Sequence, residues 1–214
     1  MAQGGAPRRR GRPAGLQGGE LLAVARRAFL DLGLNGTTMS EVASRAGISK
    51  ASLYREYASK DTLFTAVVLD WTARGRDAMR PALDALLRAE DVGHGLAALT
   101  HTIQAGVLDK DVLRMRRLVA AESDRFPDVA ARYLAGSWDS NIAALGDTLA
   151  ELDRRASLVV DDPRAAAEQL TWLAVGGPLN RQTLGAGRVA PADLERTGQD
   201  AVTTFLHRYG AHAH

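Results

Sequence analysis

Residues 47–61 read GISKASLYREYASKD and gather groups that hold phosphate: the cations Lys50, Arg55 and Lys60 and the short hydroxyls Ser49 and Ser52. Tyr54 and Tyr57 stand three apart among them, in a chain with only 5% aromatic residues, so their pairing asks for a reason. Cations and hydroxyls position a protein on a nucleic-acid backbone, whereas side chains that enter a groove read base edges. At 100° per residue, Leu53 and Tyr57 fall on one side of a helix, where with Ile48 they can pack against Val42 and Ala43. Ala51 and Arg55 fall on the other side, and Lys50 and Tyr54, four apart, share the flank between. Tyr57 therefore reads mainly as a core aromatic, and Tyr54 as a ring that packs while its hydroxyl reaches a phosphate. Ser49 and Ser52 sit at the helix start, where free amides and the dipole favour an anion. Thr38, at the start of the preceding helix, and Lys60, at the start of the next, complete the candidate DNA-contacting set.

These side chains need short helices held at a turn. A first helix is expected over 19–32, with Leu21, Leu22, Ala25, Phe29 and Leu32 on one face, before GLNGTT breaks it. Thr38 with Glu41 three residues on has capping-box spacing, and Gly47 suits the left-handed end of that second helix. Ser49 caps a third helix over 50–57, and Ser59 caps a fourth marked by Leu63, Phe64, Val67, Val68 and Trp71. Two short helices joined by a glycine-containing turn are a helix-turn-helix, whose second helix can enter the major groove of double-stranded DNA. Further helices are expected at 91–106, 110–123, from Pro127 to residue 155, at 163–181 with a break near Gly176-Gly177-Pro178, and from Pro191 onward. The fold class is all-α: a three-helix DNA-binding head joined by a fourth helix to a helical bundle. The expected division is a basic arm at 1–17, the head at 18–62, the body at 63–209 and a tail at 210–214.

Charge divides the same way. Residues 1–60 hold ten Lys and Arg against four acids, whereas the remainder holds 17 against 21, so a basic head precedes an acidic body. The arm RRRGRP, which includes Arg12, suits either a narrow minor groove or a solvated tail. Zero cysteines exclude disulfides and thiolate chemistry. No HExxH pattern, nucleophile elbow or Walker loop is present, so neither a catalytic site, a metal nor a cofactor is expected. No apolar run has the length of a membrane span, the basic N-terminal segment leads into no signal core, and a cytoplasmic location is expected.

The stretch TTMSEVASRAGISKASLYREYASKDTLF resembles the TetR/AcrR family of bacterial transcription regulators, the likeness being strongest over about residues 19–68. Tyr57 departs from the commoner phenylalanine, adding a hydroxyl without changing the packing role. LRMRRLVAAESDRFPDVAARY at 113–133 and VGGPLNR at 175–181 are more loosely similar to the AefR-type C-terminal domain. The resemblance implies a homodimer, DNA read by the third helix, and a small-molecule effector held in the body. Candidate wall residues are His101, Gln104, Met115, Phe126, Trp138, Asn141 and Trp172, whose mix of aromatic and polar groups suits an apolar or aromatic effector. Core packing is the competing reading for both tryptophans. The candidate dimer face comprises Ala166, Leu170, Leu173, Ala174 and Gly177 with Val202, Phe205 and Leu206, where small residues allow close helix approach. A repressor released by its effector is the resulting expectation; an architectural DNA binder without an effector, or an enzyme, are the alternatives.

Overall fold

The computed structural model describes residues 16–75 and 77–211, so Arg12 with the arm at 8–13, and the tail histidines His212 and His214, lie outside the described residues. The chain divides into two compact units, one ending at Phe64 and the other beginning at Thr65. In the first, α1 (Gly18–Gly36) continues past its expected end and kinks at Gly33, where φ is 70°. The buried Thr37 hydroxyl fastens that kink, 2.7 Å from the Gly33 carbonyl and 3.2 Å from that of Ala28. Leu21, Ala25, Ala28 and Phe29 are buried, and Phe29 meets Phe64 edge to face with centroids 5.7 Å apart.

The second helix, α2 (Met39–Arg45), and the third, α3 (Lys50–Glu56), are each seven residues long, too short to persist alone. Their caps and packing hold them. The Thr38 hydroxyl accepts from the Glu41 amide at 3.1 Å, but the Glu41 carboxylate is turned to Arg45 at 2.8 Å, so this is half of the expected capping box. Arg45 also meets Asp31, and both carboxylates raise its already high pKa. Gly47 has φ 67°; its amide reaches the Ser44 carbonyl and the Ile48 amide that of Ala43, the paired bonds of a Schellman ending. Ser49 then caps α3 by accepting from the Ser52 amide at 3.0 Å.

The second unit is a helical bundle. The fourth helix, α4 (Lys60–Gly75), contains the boundary between units, and α5 (Arg80–Arg88), α6 (Val92–Val107) and α7 (Lys110–Ala121) follow. Of these, α5 is a helix that periodicity did not disclose, because Pro81 opens only nine residues with two buried leucines, Leu83 and Leu86. The long helix expected from Pro127 is α8 (Pro127–Leu134), a π-helical turn (Ala135–Asp139) and α9 (Ser140–Arg154) in unbroken succession. After α10 (Pro163–Thr183) comes α11 (Pro191–Tyr209). Among the described residues the strand-like pairing is one isolated bridge, Leu158 with Gly210. The core is built from Leu96, Leu99 and Ile103 of α6, Ile142, Leu145 and Leu149 of α9, Leu170 and Ala174 of α10, and Phe205 of α11. Each fully buried leucine or phenylalanine contributes about 1.5–3 kcal/mol.

Two expectations are corrected here. The helix α10 does not break at Gly176-Gly177-Pro178 but runs through Pro178. A proline has no N–H for the carbonyl four residues back, that of Ala174, and the Gln104 amide nitrogen supplies the missing donor at 3.1 Å while also donating to the Leu194 carbonyl at 2.9 Å. Five of the eight candidate dimer residues, Ala166, Leu170, Ala174, Val202 and Phe205, are buried inside their own chain, and Leu206 is packed against the same core. Their apolar spacing serves the bundle; of that set only Leu173 and Gly177 are exposed, with Leu173 at 42%.

Candidate functional site

Packing against α2 decides what α3 offers outward. Leu53 is fully buried and Tyr57 half-buried at the helix end, its amide 2.8 Å from the Leu53 carbonyl. Ser49, Lys50, Ala51, Tyr54 and Arg55 are exposed, and Ser52 is half-buried. The Lys50 ammonium stands 5.8 Å from the Tyr54 ring centre, so the ring holds the cation at the surface. A single face thus presents a lysine, an arginine, a phenol and a methyl group, the last small enough for a base edge to approach. The hydroxyls of Ser49 and Ser52 lie 2.8 Å apart and those of Ser49 and Thr38 each cap a helix, so their first task is to hold the reading element in shape. Lys60 donates one of its three ammonium N–H groups to the Leu34 carbonyl at 2.7 Å, which satisfies the end of α1 with favourable charge and leaves two donors for a phosphate.

In the second unit the structure scatters some of the proposed wall and gathers the rest. His101 is exposed on α6, and Gln104 is committed to the two backbone carbonyls described above. Met115 is fully buried, Asn141 is half-buried, and Phe126 lies at the start of α8 with the Arg125 guanidinium 4.9 Å from its ring. Trp138 and Trp172 do come together, with ring centres 5.0 Å apart. Sequence reading missed their two polar neighbours. The Arg116 guanidinium is 5.7 Å from the Trp138 ring, and the buried Tyr133 phenol is held above its ordinary pKa by burial, an effect that the nearby Arg116 charge opposes. Tyr133 near the end of α8 and Trp138 in the π-helical turn are five residues apart, which on a regular α-helix would point them about 140° from one another, an angle that the wider turn reduces. Ser137 and Ser140 hydroxyls donate to the Tyr133 and Gly136 carbonyls, at 2.6 and 3.0 Å, within the widened turn. On the same turn, a Cβ at Gly136 would lie 2.4 Å from Cγ2 of Thr72 on α4, so only glycine permits this approach.

The family model described as bacterial regulatory proteins, tetR family, matches residues 21–67, and the AefR-like transcriptional repressor C-terminal domain matches 94–211. The second covers more than half of the chain. This protein belongs to the TetR family. It is accordingly a DNA-binding transcription regulator and not an enzyme. The HTH-type transcriptional repressor KstR2 of Mycobacterium tuberculosis is 29% identical over 177 residues, spanning 78% of this chain and 86% of that protein. A TetR-family transcriptional regulator of Mesorhizobium loti superimposes with a TM-score of 0.85 at 30% identity, covering 89% of this chain and 95% of the other. The flavonoid-responsive regulator FrrA matches with a TM-score of 0.71 at 25% identity over 92% of this chain and the whole of its own. In this TetR-family chain no described helix is long and apolar enough to cross a membrane, and no described group of His, Cys, Asp or Glu is arranged to hold a metal.

Proposed function

We propose that the protein is a homodimeric repressor whose α3 faces read two half-sites of duplex DNA and whose second unit binds a small apolar or aromatic effector that releases it. The observation that carries the effector is the pairing of Trp172 on α10 with Trp138, which lies on a π-helical turn that presses against α4 through Gly136 and Thr72. Such turns recur at functional sites. Since α4 also contributes residues to the DNA-binding unit, a shift of the turn has a continuous helix along which to act. The naming of FrrA as flavonoid-responsive supports an aromatic effector class. For dimerisation, the exposed Leu173 and Gly177 of α10 remain from the first expectation as the face for a second copy.

Linkage sets the size of the effect: a hundredfold preference for the DNA-free state corresponds to about 2.7 kcal/mol of coupling. The test is a titration of aromatic compounds in which tryptophan emission and duplex binding are followed together. A compound that changes the emission is expected to weaken DNA binding in the same concentration range. A set of compounds that changes the emission while duplex affinity stays constant would show a site without coupling, and the architectural alternative would then stand.

A further inference from the structure

Among the three arginines of the RMRR run on α7, two are spoken for. Arg114 pairs with Asp111 at 3.7 Å, and Arg117 donates to the Gln182 carbonyl. Arg116 differs: it is half-buried, its guanidinium faces the Trp138 ring at 5.7 Å, and among the described residues it forms no ion pair, Asp139 beside Trp138 included. Withdrawing a cation from water without a counter-charge costs free energy, which a ring face only partly returns. Tyr133 stands in the same field, 9% exposed, and among the described residues its hydroxyl makes no hydrogen bond. The phenol is already protonated at neutral pH and burial pushes it further that way, so it can donate its O–H to an acceptor. The site therefore offers an aromatic pair, a planar cation without an ion pair among the described residues and a phenol donor, contributed by α7, α8, the π-helical turn and α10.

We propose that the effector is an aromatic acid: a ring body that lies against Trp138 and Trp172, bearing an anionic group that Arg116 and the Tyr133 hydroxyl hold. A guanidinium fork matches a carboxylate with two parallel N–H donors, and the Trp138 ring face holds the cation beside the aromatic pair before the ligand arrives. The anion restores the charge balance that folding leaves open at Arg116. Neutral compounds of the same shape leave Arg116 unpaired and forgo this gain, so the arginine selects for acids. The inference rests on the effector reading above, and deepens it by naming the charge of the ligand.

The experiment uses the full chain and two fluorescent probes with the same anilinonaphthalene body, 8-anilinonaphthalene-1-sulfonate and the uncharged N-phenyl-1-naphthylamine. The wild type is expected to bind the sulfonate at least about tenfold more tightly. Arg116→Met should abolish that preference while leaving the neutral probe's affinity unchanged, which also shows that the variant is folded. Tyr133→Phe should weaken the sulfonate about threefold and spare the neutral probe. Trp138→Ala should weaken both. Equal wild-type affinity for the two probes, or sulfonate binding untouched by Arg116→Met, would overturn the charge inference alone, provided that Trp138→Ala still lowers binding. Binding of neither probe, or binding indifferent to Trp138→Ala, would overturn the effector site and the charge inference with it.

Discussion

Replacing Gln104 by leucine is expected to destabilise the second unit by about 2–4 kcal/mol, although the substitution removes a buried polar group and adds an apolar one of similar length. The reason lies in what the amide serves. Both of its N–H groups are used, one on the Ala174 carbonyl at 3.1 Å and one on the Leu194 carbonyl at 2.9 Å, so it ties α6 to α10 and α11 at once. The Ala174 carbonyl has no helical donor because residue 178 is proline, and Ala174 is itself fully buried, which shuts out water as a substitute. Leucine at 104 would leave that carbonyl unpaired in the core. The paired variant Gln104→Leu with Pro178→Ala restores an N–H to the carbonyl and should recover part of the loss, giving a coupling that a double-mutant cycle in urea denaturation can measure. Purely additive effects would mean that Gln104 does not serve the proline.

The second large effect falls on DNA. A variant with Lys50 and Tyr54 both changed to alanine should bind a specific duplex about 30- to 100-fold more weakly at moderate salt, a loss of about 2–3 kcal/mol. Its log–log salt dependence should flatten by about one unit for each head engaged, since each lost lysine releases about one counter-ion fewer. Stability should change by less than about 0.5 kcal/mol, because both side chains are exposed and the fully buried Leu53 is untouched. Fluorescence anisotropy across a salt series, paired with a thermal melt, separates the two quantities. Undiminished affinity in a folded variant would remove α3 as the reading face.

What was legible in the sequence was whatever depends on near neighbours in the chain. Gly47 at φ 67°, the Ser49 cap, and the starts at Pro127 and Pro191 are local devices, and each is found where its residue type placed it. The buried side of α3 followed from helical spacing for Leu53, and the outward face of Lys50, Ala51, Tyr54 and Arg55 followed with it. Long-range partners were not legible. Lys60 and the Leu34 carbonyl are 26 residues apart, Gln104 and Ala174 are 70 apart, and no spacing rule announces either bond. Because Gln104 rescues the carbonyl opposite Pro178, a break that proline normally enforces is absent. The dimer residues failed for a related reason: an apolar helix face states that it is buried, not against which partner. The π-helical turn failed because the 4-3-4-3 spacing from Trp138 to Leu152 reads as one regular helix, and the extra residue lies just before that run, between Tyr133 and Ser140.

The most direct test of the central claim is to enrich randomised duplexes on the full-length protein at moderate salt and sequence what is retained. One pseudo-palindromic site is expected, its half-sites about 34–36 Å apart or a multiple of that, with base preferences that shift when Ala51 or Arg55 is substituted. Retention of duplexes without any sequence preference, or of a site whose preferences are indifferent to substitutions at Ala51 and Arg55, would contradict it.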